Sequence, residues 1–228
     1  MTIADQILYE DNHLLALNKL PGQITQGDKT GDTPIADLVK AYIKERDGKP
    51  GNVFCGVIHR LDRPVSGVVL LAKTSKALSR MTQKVKERDF VKCYWAVVKN
   101  APEMPAATLE DWLVKDEQHN KSRVVDSTHA GAKQAVLDYR MVGTSEGGYH
   151  LLEVQLHTGR HHQIRCQLAH IGCPIKGDLK YGAPRSNPDG SISLHARSVS
   201  FEHPVSHEPI NIVAPNPEIE RIFNIENI

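Results

Sequence analysis

Apolar and polar positions along the chain change period at identifiable points, and these changes predict the elements. Ile7-Leu8-Tyr9 and Leu14-Leu15-Ala16-Leu17 flank Asp11-Asn12, which predicts a hairpin. Residues 22–32 are rich in Gly, Asp and Thr and predict a loop. Thr33-Pro34 predicts a helix start, a hydroxyl cap followed by proline at the first helical position. Ile35, Leu38, Val39, Tyr42 and Ile43 then recur at helical spacing, and Gly48 to Asn52 closes that helix. Val68-Val69-Leu70-Leu71-Ala72 is an apolar run of strand length. Thr74-Ser75 predicts the cap of a second helix, with Leu78, Met81 and Val85 inward and Lys76, Arg80, Lys84 and Arg88 outward. Met81 reads as core filler.

Further along, Cys93 to Val98 predicts a strand, and residues 100–107, with two prolines, a connector. Asp116 to Ser127 is polar around Lys121-Ser122-Arg123 and reads as a mobile loop, either idle or touching a nucleic acid. Ala135, Leu137, Tyr139 and Met141 alternate as a strand. After a Gly147-Gly148 turn, His150, Leu152, Val154 and Leu156 alternate as its partner. Thr158 is expected to cap a third helix, with Ile164, Leu168 and Ile171 inward, Gly172 as its stop and Pro174 beyond. Arg165 lies beside that stripe, where a buried guanidinium needs a carboxylate partner; Asp62 is the expected one. The chain closes strand-like and then acidic, with no internal repeat, linker or low-complexity tract.

Composition adds bounds. A chain of 228 residues, 40% hydrophobic and 24% charged, can bury a substantial core as one large domain or two closely joined halves. The formal charge is only +1, but it is unevenly placed. From Ile58 to Lys99 ten Lys and Arg face three acids, whereas from Ser200 to the end five Glu face only Arg221. That asymmetry suits a local phosphate-binding face; a solvated amphipathic helix accounts equally for residues 76–88. Cys55, Cys93, Cys166 and Cys173 form no Cys-x-x-Cys pair, the N-terminus has no apolar signal core, and no apolar run approaches membrane length. The expectation is a soluble, cytoplasmic chain with reduced thiols. Neither Gly-x-Gly-x-x-Gly nor a P-loop occurs, so no nucleotide cofactor is expected.

The most chemically loaded stretch is His59-Arg60-Leu61-Asp62-Arg63-Pro64-Val65-Ser66-Gly67, a charged loop leading into the apolar run at Val68. If residues 60–62 are extended, Arg60 and Asp62 face one way and Leu61 the core. A carboxylate between guanidiniums stays charged at neutral pH, which suits a nucleophile or a base rather than a proton donor. Taken alone, the same residues better describe a surface Arg-Asp-Arg cluster of small energetic worth, because structural ion pairs outnumber catalytic ones.

This stretch resembles the central motif of the RluA-type pseudouridine synthases, which isomerise uridine in RNA. Lys19-Leu20-Pro21-Gly22 resembles their first motif, and Lys92-Cys93-Tyr94-Trp95-Ala96 their tyrosine-bearing strand. Gly159-Arg160-His161-His162-Gln163-Ile164-Arg165 and Pro174-Ile175-Lys176-Gly177-Asp178 resemble the third motif and its sequel. Leu194-His195-Ala196 and His203-Pro204 resemble the closing segment. The motifs run in family order over nearly the whole chain. The resemblance implies an α+β fold: a mixed, largely antiparallel β-sheet flanked by helices, with a central RNA-binding cleft. It implies one catalytic domain over residues 1–228, without the small RNA-binding domain that often precedes the first motif. The element pattern agrees, with many strands and three or so helices lacking strict βαβ alternation.

The resemblance also assigns roles. Asp62 is the catalytic carboxylate. Arg60 fills the space left by a flipped base, Tyr94 stacks on the uracil, Ile164 packs on the base, and Arg165 pairs with Asp62. Read without the family, Tyr94 is a core tyrosine on a buried strand. No metal and no cofactor is implied, because the isomerisation oxidises nothing and transfers no outside group. The partner implied is ribosomal or transfer RNA, with a monomeric enzyme, no membrane and no DNA. Family members commonly carry Thr where His161 stands, and different residues near Cys166, Gln167 and Cys173, positions that flank the functional ones. Two other readings remain. His157, His161, His162, Cys166, His170 and Cys173 lie close in sequence, and Cys166 and His170 are one helical turn apart, so a zinc hydrolase or structural zinc site is conceivable. A non-catalytic RNA-binding or ribosome-assembly module is the other.

Overall fold

The structure is a computed structural model describing residues 2–27 and 30–225. In chain order the elements are β1 (Ile7–Glu10), β2 (Leu14–Lys19), α1 (Ile35–Arg46), β3 (Gly56–Val57), β4 (Ser66–Ala72) and α2 (Ser75–Glu87). Then come β5 (Val91–Val98), β6 (Ala106–Asp116), β7 (Lys121–Val125), β8 (Lys133–Thr144) and β9 (His150–Leu156). The last are α3 (Gln163–His170), β10 (Leu194–Glu202), β11 (Pro209–Val213) and α4 (Pro217–Ile222). The chain divides into two compact units, Met1–Phe90 with Ala196–Pro215, and Val91–His195 with Asn216–Ile228.

In the first unit the strands run β1-β2-β4-β10, with β11 on β10 and β3 on β4. β2 and β4 are antiparallel from Leu14 opposite Ala72 to Lys19 opposite Gly67. Both are nearly continuous apolar runs because both of their faces are covered. Leu14, Ala16, Val68, Leu70 and Ala72 meet Met81 of α2 together with Phe90, Val199 and Phe201. The Thr74 hydroxyl accepts from the Ala77 N–H at 3.1 Å, the expected cap of α2. α1 differs from expectation: Pro34 is its N-cap in an extended conformation, and no side chain caps it. The Ile35 N–H instead donates to the Ile24 carbonyl at 2.8 Å, so the preceding loop does the capping. Residues 28 and 29 of the loop expected over 22–32 lie outside the described residues.

The second unit is a sheet in the order β5-β9-β8-β6-β7, antiparallel at each of these pairings. One face carries α3, through Leu113, Ala135, Cys166 and Tyr181. The other carries α4, with Ile219 and Phe223 against Trp95, Val97 and Leu151. The expected strands at 135–141 and 150–156 form as β8 and β9. Three expectations are corrected. The segment read as a mobile loop over 116–127 is the end of β6, a tight turn and β7, with Ser122 buried. β6 lacks an apolar run because most of it is only half covered, so its pattern reads as polar. α3 begins at Gln163, and Thr158 takes no part in its cap: its hydroxyl accepts from Val136 N–H at 2.8 Å and donates to Gln163 Oε1 at 2.7 Å. The acidic segment after β11 contains α4, capped by Asn216, which accepts from the Ile219 N–H at 3.1 Å; its last acid, Glu226, lies outside the described residues.

Candidate active site

Asp62 sits on the loop between β3 and β4. The expected alternation is present: Arg60 is exposed, Leu61 buried and Asp62 half-buried. The loop closes tightly, with the Val65 N–H donating to the Asp62 carbonyl at 3.0 Å. It is then braced from the segment after β2. Lys19 is fully buried, and its ammonium donates to the carbonyls of Leu20 (3.0 Å), Arg63 (3.2 Å) and Val65 (2.6 Å). The Gly22 N–H donates to the same Arg63 carbonyl at 2.9 Å, and the Thr25 hydroxyl reaches the Leu61 carbonyl at 3.4 Å. Burial pushes the Lys19 ammonium down to about 7, although the Asp62 charge pulls the other way.

At the far end of the loop, Gly67 has φ +112°, and a Cβ there would fall 2.3 Å from the Ala196 carbonyl oxygen of β10. Only glycine fits such an approach. The two arginines of the motif reach outward: Arg60 donates to Gln26 at 3.0 Å, and Arg63 to Thr30 at 3.1 Å and to Asp32.

The second constellation is built on α3 and the turn after it. Arg165 is buried and grips Asp178, with Nε donating to Oδ2 at 2.6 Å and Nη2 to Oδ1 at 2.9 Å. Both side chains are nearly fully covered, 6% and 1% exposed, so the fork-shaped pairing is what makes the burial tolerable. The guanidinium also lies 5.1 Å over the Tyr181 ring. The Tyr181 hydroxyl accepts from the Ser122 N–H at 2.8 Å and bonds His162 Nδ1 at 3.0 Å. His162 has φ 52° at the helix entrance and stacks on His161 at 3.8 Å. Burial, aided by the charge of Arg165, pushes His162 down to about 2, so its ring is neutral.

The remaining expected residues fall in the same unit as Arg165. Tyr94 is buried on β5 opposite Val154, and Ile164 is buried in the first turn of α3. By strand alternation Tyr94 shares the α3 side of the sheet with Leu137 and Ala135. The sequence points to Asp62 as the carboxylate for Arg165 and not to Asp178; it assigns no role to Lys19 or Tyr181, and it offers His162 only within a possible zinc cluster. Lys19 and Asp178 do stand inside motif-like segments. Their signal is a lone charge closing an apolar strand, and a lone acid in a Gly-containing turn after a helix bearing an inward arginine. The His/Cys cluster is engaged otherwise: Cys166 Sγ contacts the Ser122 carbonyl at 3.3 Å and His161 Nδ1 the Ser122 hydroxyl at 3.0 Å. Among the described residues no group of three or more His, Cys, Asp or Glu could hold a metal ion. Among the described residues no helix is long and apolar enough to cross a membrane.

The profile described as RNA pseudouridylate synthase matches residues 13–170. The chain belongs to that family. It is 33% identical over 215 residues, 92% of this chain, to an uncharacterized RNA pseudouridine synthase of Synechocystis, and covers 65% of that protein. It is 32% identical over 232 residues, 96% of this chain, to ribosomal large subunit pseudouridine synthase D of Xanthomonas campestris, covering 68% of it. The chain thus spans about two thirds of the length of these relatives. A solved structure titled human RNA pseudouridylate synthase domain containing 4 superposes with a TM-score of 0.79 at 25% identity, over 95% of this chain and 90% of that one.

Proposed function

We propose that this chain is an RNA pseudouridine synthase that isomerises a uridine in ribosomal or transfer RNA, with Asp62 as the catalytic carboxylate and both units serving one catalytic domain. The observation that carries the reading is the brace on the Asp62 loop. A fully buried cation and two further donors clamp its backbone carbonyls, while Asp62 itself stays half-buried on the rim. A merely solvated Arg-Asp-Arg cluster needs no such clamp. A relative named for the ribosomal large subunit supports ribosomal RNA as the substrate class.

The reaction breaks the bond from N1 to C1′, turns the uracil, and rejoins it through C5; C5 gives up its proton and N1 takes one up, so the product is an isomer. It needs a carboxylate near the sugar or C6, and a pocket that keeps the loose uracil. The target base must first leave its stack, which costs a few kcal/mol. Arg60, exposed at the loop tip, fills the vacated space. Tyr94 stacks on the flipped uracil, a contact worth about 1–3 kcal/mol. Ile164 packs on the base. Arg165, already rigid through Asp178, steadies Asp62.

Asp62→Asn should abolish pseudouridine formation, measured on a ribosomal RNA transcript, while thermal stability and RNA affinity stay within about twofold of the parent. A variant that still turns over at the parental rate removes Asp62 from the chemistry. Arg60→Ala should slow modification of a base-paired uridine about tenfold and an unpaired one much less, because only the first needs its vacancy filled. Equal losses on both substrates would remove the flipping role.

A further inference from the structure

Two lysines of this chain have their charge disfavoured by burial, and only one of them has its charge accounted for. Lys19 has three carbonyl acceptors. Lys92, half-buried at the start of β5, has none: among the described residues no hydrogen bond or ion pair engages its ammonium. Burial alone lowers its affinity for the proton, with no charged neighbour contributing. An ammonium carries three donors and is stripped of water at a cost, so a structural lysine normally brings its acceptors with it.

The position of Lys92 says what could supply the missing acceptor. It pairs with Leu156 on β9, as Tyr94 pairs with Val154 two residues on, so the two side chains leave the same face of the sheet. That face is the one covered by α3. The Lys92 ammonium lies at the exposed backbone of Gly159, where a Cβ would stand 3.8 Å from Nζ. No side chain at that position shields it. Gly159 opens the segment that leads through His162 into α3 and Arg165. The charge therefore leaves the same face of the sheet as Tyr94, with glycine leaving its approach uncovered.

We propose that Lys92 is an RNA-binding residue that takes a backbone phosphate next to the target uridine. The proposal rests on the reading of this chain as a pseudouridine synthase. A phosphate oxygen suits a compact ammonium better than a uracil carbonyl does, because no charged side chain among the described residues stands against this one. The phosphate would anchor the nucleotide's backbone while Tyr94 receives its base.

The test is binding of an unmodified ribosomal RNA transcript across a series of salt concentrations, with the parent, Lys92→Met and Lys92→Arg. Lys92→Met should weaken binding about tenfold at low salt and lower the slope of log affinity against log salt by about 0.7–0.9, the signature of one lost phosphate contact. It should raise KM more than it lowers kcat. Lys92→Arg should restore the slope. Lys92→Met should also be at least as stable to heat as the parent, because it removes a half-buried ammonium that no described residue engages. An unchanged slope overturns the proposal, whether affinity is unchanged or falls, since a fall alone would mean a contact to an uncharged oxygen. A Lys92→Met protein that melts well below the parent overturns it too, by making the lysine structural. A parent that fails to bind the transcript at any salt overturns it as well. If the slope depends on Lys92 but no pseudouridine forms, the isomerase reading falls and the phosphate contact stands.

Discussion

The two units fix their key side chains by opposite means. In the first, the Asp62 loop is held through its backbone: one buried ammonium and two further donors satisfy the carbonyls of Leu61, Arg63 and Val65. In the second, Arg165 is held by its own head group, in a two-bond grip on Asp178 beneath the Tyr181 ring. A clamp on main-chain carbonyls places a short side chain at a fixed height through the backbone alone. A clamp on the head group spends donors on rigidity, which only a residue with five donors can do and still serve another partner. The contrast suits the separate roles proposed for the two side chains.

Breaking the head-group clamp should have the largest effect on stability. Asp178→Asn leaves the buried guanidinium without its main counter-charge and should destabilise the protein by about 3–5 kcal/mol, read from the denaturant midpoint. A loss below about 1 kcal/mol would mean that the pair is not what makes Arg165 tolerable. Breaking the backbone clamp comes next. Lys19→Met keeps the volume but strips donors from the carbonyls of Leu20 and Val65, a loss of about 2–4 kcal/mol. Turnover should fall further than stability explains, because the loop carrying Asp62 would relax. A variant as stable and as active as the parent would dissolve the comparison.

The smallest effect sharpens it through pH. His162 titrates near 2 in the folded chain, well below its ordinary 6.5. Between those values the unfolded chain binds a proton that the folded one refuses, so stability falls as pH drops below about 6.5. From pH 7 to pH 5 the loss from this group is ~2 kcal/mol. His162→Asn, a residue that tolerates the left-handed conformation, should flatten that part of the curve. Parallel curves for the two proteins would show that the ring is not held neutral.

How much of this was legible in the sequence depends on the range of the interactions. Strands with two covered faces, such as β2 and β4, announce themselves as apolar runs, and the Thr74 cap is a local signal that held. β6 and β7 did not announce themselves, because half-covered strands carry polar residues outward and Lys121-Ser122-Arg123 looks like a loop. α3 starts later than Thr158 implies, because a side-chain hydrogen bond to Val136 of β8 outcompetes the cap. At the site, the family motifs name Tyr94, Ile164 and Arg165, and all three lie in the second unit. The motifs could not show that Asp178 is the carboxylate gripping that arginine, or that Lys19 spans 46 residues to the Val65 carbonyl. Those are partnerships of the folded chain, and no local pattern encodes them.

One consequence concerns the order in which the chain can be built. The strand that carries Gly67 is flanked on one side by β10, which arrives only after residue 194. During synthesis residues 91–195 emerge as one uninterrupted stretch, lacking only α4 of their own unit. The first ninety residues must meanwhile wait, with that edge of β4 covered only at its end, by β3 at Leu71 and Ala72, for a strand more than a hundred residues downstream. Translation therefore delivers the arginine-bearing half before the carboxylate-bearing half can close, and the last sheet to be completed is the one on which the proposed chemistry depends.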